Sequence, residues 1–443
     1  MKVPCALTIA GSDSGGGAGI QADIKTFAAL GVHGLCVITT VTAQNTKGVD
    51  TTLELPPEFV TQQLDALMRD FEVKFAKTGM LSNAGIIKAV EAGVKKYKLR
   101  AVVDPVMWST TEAPLLRDDA LAAIKKLISR AELVTPNIFE GEKLSGLKIR
   151  SKADMRKAAR TIARLGPRAV LFKGGHLKGQ IVTDVLYSEG KFEEFSGPRI
   201  KTEPTHGTGC SFSSAITAEL AKGAELKAAI VRARAFLADA IRGRLNVGGG
   251  VMPINQMSAL LQEAARYRAV DELWRASQML VANPRFVMLL PEVGSNMAMA
   301  LPGAKNRSEV YGLSGRIVKS GGKAVVTGFP APSGSVHIAN IVLTVMRHDP
   351  EIRSGMNIRY SPEIIRACRD LGLTIGTFDR RLEPRGVKTM EWGTEQAIKR
   401  TGKVPNVIFD KGDVGKEAMV RVLGKSPLEV ADLVLRLADK LYQ

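Results

Sequence analysis

Cysteine is scarce in this chain. Cys5, Cys36, Cys210 and Cys368 are the only four in 443 residues, with no CxxC pair and no zinc-like spacing. That excludes a disulfide scaffold and a structural zinc site, and fits thiols kept reduced in a cytosol. Aromatic residues make up only 5%, too few for a platform that stacks single-stranded nucleic acid. No stretch approaches eighteen uncharged apolar residues, so no membrane span is expected. A basic leader, a long apolar core and a small-residue cleavage site do not occur in series. No secretory signal is therefore expected, and the chain reads as cytoplasmic. Internal repeats and low-complexity tracts are missing too. The formal charge is +18, yet no basic arm or dense run carries it. An excess spread over both halves speaks for a solvated surface that attracts phosphorylated metabolites, and against a nucleic-acid partner.

What remains is a globular composition, 45% hydrophobic and 24% charged, long enough for two or three domains. Over the first 245 residues, short apolar runs alternate with amphipathic segments. Strands are expected at Cys5–Ala10, Leu35–Thr42, Lys74–Thr78, Ala101–Val103, Leu133–Thr135 and Ala169–Lys173. Helices are expected at Ala18–Leu30, Pro57–Arg69, Asn83–Tyr97, Asp118–Arg130, Ser151–Leu165, from Gly207 through Ala221, and at Leu226–Arg242. Repeated strand–helix units predict an α/β fold with a doubly wound, mostly parallel sheet, and ligands beyond the carboxyl ends of its strands. Gly248, Gly249, Gly250 and Pro253 punctuate the chain. They suggest one domain over 1–250, a linker at 251–258 and a second compact α/β domain over 259–443. The helix expected at Ser258–Val281 reads as a strap or as part of a dimer interface, and a homo-oligomer is expected.

Several motifs carry chemistry. The run from Gly11 to Gly19 lies between the first strand and the first helix. Its glycines let backbone approach a ligand, and amides at a helix start favour anions. It is no nucleotide P-loop, because no Gly-Lys-Ser/Thr closes it. Thr205-His206-Gly207-Thr208-Gly209-Cys210 precedes an apolar helix. Gly207, Thr208, Gly209 and Cys210 there form a candidate anion hole for a phosphoryl group in flight. A thiolate would be favoured in that first turn, although spacing alone leaves Cys210 more often a small buried hydrophobe. Asp104, and Asn137 with Glu140, are candidate magnesium ligands; Asn137 alone is better explained as a helix cap. In the C-terminal half, Arg353, Arg359 and Arg380 occur beside Asn, Ser and Gly, a setting suited to phosphate recognition.

Taken together, Ala6–Phe27, Val41–Thr46, Lys77–Leu81, Asp104–Met107, Thr135–Asn137, Lys173–His176 and His206–Cys210 closely resemble the hydroxymethylpyrimidine (phosphate) kinase family of the ribokinase-like superfamily, over residues 3–253. The resemblance implies ATP-dependent phosphorylation of 4-amino-5-hydroxymethyl-2-methylpyrimidine and then of its monophosphate, with Mg2+. It implies that Gly11, Asp23 and Gln44 hold the pyrimidine with Met80 packed nearby, that Cys210 stands where related sugar kinases carry a base, that Lys173 steadies phosphate charge, and that Asn137 and Glu140 serve magnesium and phosphate. One departure lies in the flap, where Thr110 and Glu112 replace the family's lysine and glycine. That puts the second phosphorylation in question.

Pro291–Asn296, Ala300–Ala304, Gly315–Val318, His337, Asp349–Tyr360 and Thr377–Arg381 resemble the archaeal-type thiamine-phosphate synthase domain over 259–441. That domain couples the pyrimidine diphosphate to 4-methyl-5-(2-phosphoethyl)thiazole and releases pyrophosphate. The resemblance places Arg316 and His337 in the chemistry. Arg353, Asn357 and Arg380 are expected at the substrate, and Asp379 at magnesium. Two alternatives remain: a kinase of another small heterocycle with a silent C-terminal domain, and a ligand-sensing regulator. The latter lacks a compact helix-turn-helix.

Overall fold

A computed structural model of the chain describes residues 2–108, 114–384, 386 and 389–442. Thr110 and Glu112 lie outside the described residues. The chain divides into two compact units, Met1–Leu260 and Leu261–Gln443.

The first unit is built on a nine-stranded sheet. Its strands are β1 (Cys5–Asp13), β2 (His33–Gln44), β3 (Val49–Glu54), β4 (Phe75–Thr78), β5 (Arg100–Val103), β6 (Leu133–Val134), β7 (Ala169–Phe172), β8 (Ile181–Ser188) and β9 (Lys191–Pro198), in the order β3-β2-β1-β4-β5-β6-β7-β8-β9. The pairings from β2 through β7 are parallel; β3, β8 and β9 join antiparallel at the edges. Burial explains the long apolar runs. Ala101, Val103, Val134, Val170 and Phe172 belong to one core layer, and Val102, Leu133, Ala169 and Leu171 to the layer on the opposite face. A strand covered on both sides needs apolar residues at every position. The helix Thr208–Ala221 covers the second face with Phe212, Ala215 and Ile216. The doubly wound reading holds. The edge strand β3 and the β8–β9 hairpin are additions to it.

The segment 251–258, expected as a linker, belongs to the first unit. A short parallel ladder joins β10 (Thr205–His206) to β11 (Met252–Pro253). The Val251 N–H donates to the Thr46 carbonyl at 2.7 Å, and the Asn255 N–H to the Ala240 carbonyl at 3.0 Å. The Gln256 amide donates to the buried Ser211 hydroxyl at 3.0 Å. Backbone that close to a folded surface pairs with it, as buried peptide groups must.

The second unit carries strands β12 (Met297–Ala300), β13 (Val310–Leu313), β14 (Ile317–Ser320), β15 (Lys323–Val326), β16 (Pro330–Pro332), β17 (Ser354–Arg359), β18 (Ile375–Thr377), β19 (Val407–Asp410) and β20 (Met419–Gly424). Seven form a sheet in the order β16-β13-β12-β17-β20-β19-β18, antiparallel except for β18–β19, and β14–β15 is a separate hairpin. Met297 and Met299 face one core layer, Ala298 and Ala300 the other. The helix Ser258–Ala282 lays Ala269, Leu273, Ala276 and Leu280 into the core of this unit. Those positions therefore pack within the chain.

Candidate active sites

The parallel strands of the first unit end on one rim. β1 ends at Asp13 and β2 at Gln44; Asp104 follows β5, Asn137 lies just past β6, and Lys173 follows β7. They surround a cleft of 1470 Å3 whose wall includes Gly11, Gln44, Met80, Asp104, Asn137, Glu140, Lys173 and Gly207 to Cys210. Lys77 and His206 also line it, although no site role was expected for either.

The segment expected as an anion hole, Gly207 to Cys210, opens the helix Thr208–Ala221. Gly207 is the N-cap of the helix Thr208–Ala221 at φ +87°, and a Cβ there would run into the Gly17 carbonyl oxygen. Only glycine fits, on both steric and conformational grounds. The free amides of the first turn thus meet the glycine-rich loop. The thiolate expectation fails, however. Burial pushes the Cys210 thiol up to about 11; Lys77 pulls it down, and Asp23 and Asp104 push it further up. At neutral pH the residue is a protonated thiol.

Asp23 does not hold substrate. It is completely buried, and its carboxylate is occupied by the Lys77 ammonium at 2.9 and 3.0 Å, the Thr8 hydroxyl at 2.6 Å and the Ser214 hydroxyl at 2.6 Å. Burial works against the Lys77 charge, but Asp23 foremost, with Cys210 and Asp104, holds its ammonium above the usual range. Asp23 therefore anchors the Lys77 ammonium, itself fully buried in the wall of the cleft. The sequence signal for Lys77 was the Lys77–Leu81 motif. What hid its partner was a separation of 54 residues.

Lys173 donates to Asp104 at 2.7 Å and lies 3.8 Å from Glu140. Asp104 also accepts from the Thr135 and Ser213 hydroxyls. Asn137 caps the helix Ile138–Ser145 in a capping box with Glu140: the Glu140 N–H donates to the Asn137 side chain at 2.9 Å and the Asn137 N–H to the Glu140 carboxylate at 2.8 Å. That commits Asn137 to the backbone. Among the described residues, no three His, Cys, Asp or Glu side chains gather as a metal cluster. Glu140 nevertheless suits a divalent cation. Burial raises its carboxyl to about 7, with Lys173 lowering it and Asp104 raising it. A buried carboxyl with a second one nearby gains from added positive charge, and magnesium commonly takes one or two carboxylates together with substrate phosphates.

In the second unit, Arg380 and Arg421 converge on Asp410. Arg380 donates at 2.6 Å, Arg421 donates to the other carboxylate oxygen, and the Gly412 N–H donates at 2.8 Å. Asp410 and Arg421 are buried. Burial pushes the Asp410 carboxyl up, but Arg421 and Arg380 win and hold it below the usual range. Burial, then the charges of Arg316, Arg380 and Arg421, keep the His337 imidazole below its usual value. The expected Arg316, His337 and Arg380 thus share one electropositive neighbourhood, with Arg421 and Asp410 as unforeseen members. Arg316 donates to the Val293 carbonyl, and its own N–H to the Thr327 hydroxyl at 3.0 Å.

Three expectations here need correction. Asn357 accepts from the Asn296 N–H at 2.7 Å and donates to the Gly294 carbonyl at 3.1 Å, so it braces the turn beneath Arg316. Arg353 precedes β17 and donates to the Ala300 carbonyl at 3.3 Å. Four residue steps of extended chain, about 13 Å, separate it from Asn357. Asp379 caps the turn Arg380–Leu382 and pairs with Arg381 at 2.7 Å; hydrogen bonding to Arg381 lowers its carboxyl to about 2. Its oxygens are committed to that arginine.

A glycine-rich loop, an anion hole at a helix start and a Lys–Asp–Glu group at the strand ends make the first unit a ribokinase-like small-molecule kinase. The ADP complex of Bacillus subtilis pyridoxal kinase superimposes on it with a TM-score of 0.54 at 37% identity, covering 59% of this chain and all of that one. The phosphomethylpyrimidine kinase family matches residues 13–255, and the thiamine-phosphate synthase family matches residues 272–436. The bifunctional thiamine biosynthesis protein of Methanocaldococcus jannaschii is 34% identical over 442 residues, 98% of each chain. A hydroxymethylpyrimidine/phosphomethylpyrimidine kinase of Rhizobium meliloti is 48% identical over 254 residues, 56% of this chain and 96% of that one. The chain belongs to the bifunctional thiamine-biosynthesis family, in which a phosphomethylpyrimidine kinase is joined to a thiamine-phosphate synthase. No helix among the described residues is long and apolar enough to cross a membrane.

Proposed function

We propose that the first cleft phosphorylates 4-amino-5-hydroxymethyl-2-methylpyrimidine and then its monophosphate with ATP, and that the Arg316–His337–Arg380 neighbourhood couples the diphosphate to the thiazole phosphate. The observation that carries the kinase half is the anion hole at Gly207–Cys210 opening on the same cleft as Lys173 and Lys77. In the first transfer, the pyrimidine hydroxyl oxygen bonds to the terminal phosphorus as the bond to ADP breaks, and the hydroxyl proton passes to water late in the step; in the second, a phosphate oxygen of the monophosphate takes the hydroxyl's place. Amides of the first turn and Lys173 meet charge as it spreads over the phosphoryl oxygens, and the buried Lys77 adds to the positive field of the wall. Cys210, protonated at rest, offers a weak S–H donor and no ready-made base. Asp104 and Glu140 would hold Mg2+, which supplies neutralisation of the phosphate charge.

In the coupling, the bond from the pyrimidine methylene to diphosphate breaks and pyrophosphate leaves with the electron pair. The thiazole nitrogen then gives its lone pair to that carbon, and no net proton moves. Arg316 and Arg380 suit a departing diphosphate, since a guanidinium binds two oxygens at once. Neutral His337 can donate one further hydrogen bond. Asp410 sets the direction of Arg380.

The test supplies the pyrimidine alcohol, thiazole phosphate, ATP and Mg2+ and follows both pyrimidine phosphates and thiamine phosphate with time. Sequential rise and fall of the two intermediates ahead of product is expected. Pyridoxal, named for a Staphylococcus aureus kinase that matches at 34% identity and a TM-score of 0.54, is the competing alcohol. Faster turnover of pyridoxal would favour a kinase of another heterocycle.

A further inference from the structure

The wall of the first cleft contains a hydrogen-bond arrangement that links Asp13, His206, Gln44 and Thr42. Asp13 takes the Gly15 N–H on one oxygen at 2.8 Å. Its other oxygen takes the Gly17 and Ala18 N–H groups at 3.1 and 2.8 Å. His206 Nε2 lies 3.0 Å from that second oxygen. An oxygen ringed by two backbone donors is an acceptor, so Nε2 must carry a hydrogen, whether the ring is neutral or charged. Yet the same Nε2 lies 3.2 Å from the terminal nitrogen position of Gln44, while Thr42 Oγ1 lies 3.1 Å from the terminal oxygen position. Two N–H groups cannot bond to each other. The amide ends exchange by a half-turn, and that turn satisfies the contacts to Asp13, Gln44 and Thr42 together. His206 then shares its hydrogen between Asp13 and the Gln44 oxygen. Gln44 donates one N–H to Thr42, and the Thr42 hydroxyl donates to the Ser12 carbonyl at 3.0 Å. Gln44 lines the cleft with its oxygen already engaged and one N–H left over.

We propose that Asp13, His206 and Thr42 are positioning residues that lock the Gln44 amide as a donor, so that this site selects a heteroaromatic ring nitrogen and not an exocyclic amino group. An amide free to turn would both donate and accept; this one reads a single polarity. The inference rests on the reading of the cleft as the pyrimidine site.

Two measurements test it. The first needs no substrate. The chain has five histidines, so 15N-histidine NMR resolves them, and His206→Gln identifies the relevant signal. A hydrogen on Nε2 is expected; a bare Nε2 with the hydrogen on Nδ1 overturns the lock. The second is kinetic. Gln44→Glu replaces the donor by an acceptor and is expected to raise KM for the pyrimidine alcohol at least thirtyfold, with far less effect on KM for ATP. An unchanged or lower KM means that Gln44 accepts from the amino group, and overturns the proposal. His206→Leu is expected to raise KM more than it lowers kcat, and His206→Gln, which keeps a side-chain N–H, to recover part of the loss. Parental KM in His206→Leu also overturns it. Failure of the parent to phosphorylate the pyrimidine would instead count against the assigned substrate, and the NMR result would stand apart from it.

Discussion

Cys210 was legible as a candidate site residue because its motif is contiguous and opens a helix. Its protonation was not, because that depends on groups far off in sequence. A helix start alone favours thiolate. Burial beside Asp23 and Asp104 outweighs that preference and raises the thiol to about 11. Its alkylation rate, followed by mass spectrometry of the modified site, should therefore keep climbing tenfold per pH unit from 7 to 9.5. A plateau below pH 9 would show a thiolate after all. Asp23 teaches the same lesson. A carboxylate in a substrate-like motif looked like a ligand, but the parallel register that sets Thr8 beside Lys77 seals it behind the lysine. Sequence spacing reports which residues sit near a strand end, and says little about which of them reach open space.

At the scale of elements, strands and helices that follow apolar periodicity were readable. Those that depend on pairing, such as the β8–β9 hairpin, were not. The contact between the glycine loop and the helix Thr208–Ala221 exposes a sharp constraint. Gly207→Ala places a methyl group against the Gly17 carbonyl in a left-handed conformation. The strain alone is about 1–3 kcal/mol, and the loop must move. Kinase turnover should fall at least tenfold with a lowered Tm; parental turnover would show that the loop yields without cost. In the second unit, Asp410→Asn strips the counter-charge from two arginines, one of them buried. Breaking such a pair costs about 3–5 kcal/mol, so a marked fall in Tm and loss of coupling are expected. Because Asp410 is held below its usual value, its stabilisation is present above the ordinary carboxylate range and lost as pH falls through it. The asparagine variant should close the gap with the parent in acid.

For the whole molecule, the two sets of chemistry occupy units with separate cores. Activities should therefore separate. Cys210→Ala should lower pyrimidine phosphorylation at least tenfold while sparing coupling when pyrimidine diphosphate is supplied. Arg316→Ala should do the reverse, lowering coupling by about tenfold to somewhat over a hundredfold, the equivalent of about 1.5–3 kcal/mol for a charged hydrogen bond. Joint loss in either variant, with folding intact, would mean that the units depend on each other. The two-unit plan was legible because two unrelated motif sets fall in succession. The first domain was ended ten residues early, at 250 and not at Leu260, while the second was begun at 259, two residues from Leu261; a glycine triplet looks like a hinge whether or not its neighbours are tied down.

That tie has a practical side. The last stretch of the first unit pairs with the strand bearing His206 and with the loop at Thr46. Anyone dividing the gene to express the halves would naturally cut at Gly248–Gly250. A fragment ending at Val247 discards the strap beside its own substrate wall, whereas one ending at Leu260 keeps it. The longer fragment should phosphorylate the pyrimidine as the full chain does, and the shorter should show a raised KM for the alcohol. Equal KM values would mean that the strap is ornamental. The outermost residues of the first unit, the easiest to lose in cloning or to a protease, are thus the ones paired with the strand that carries His206.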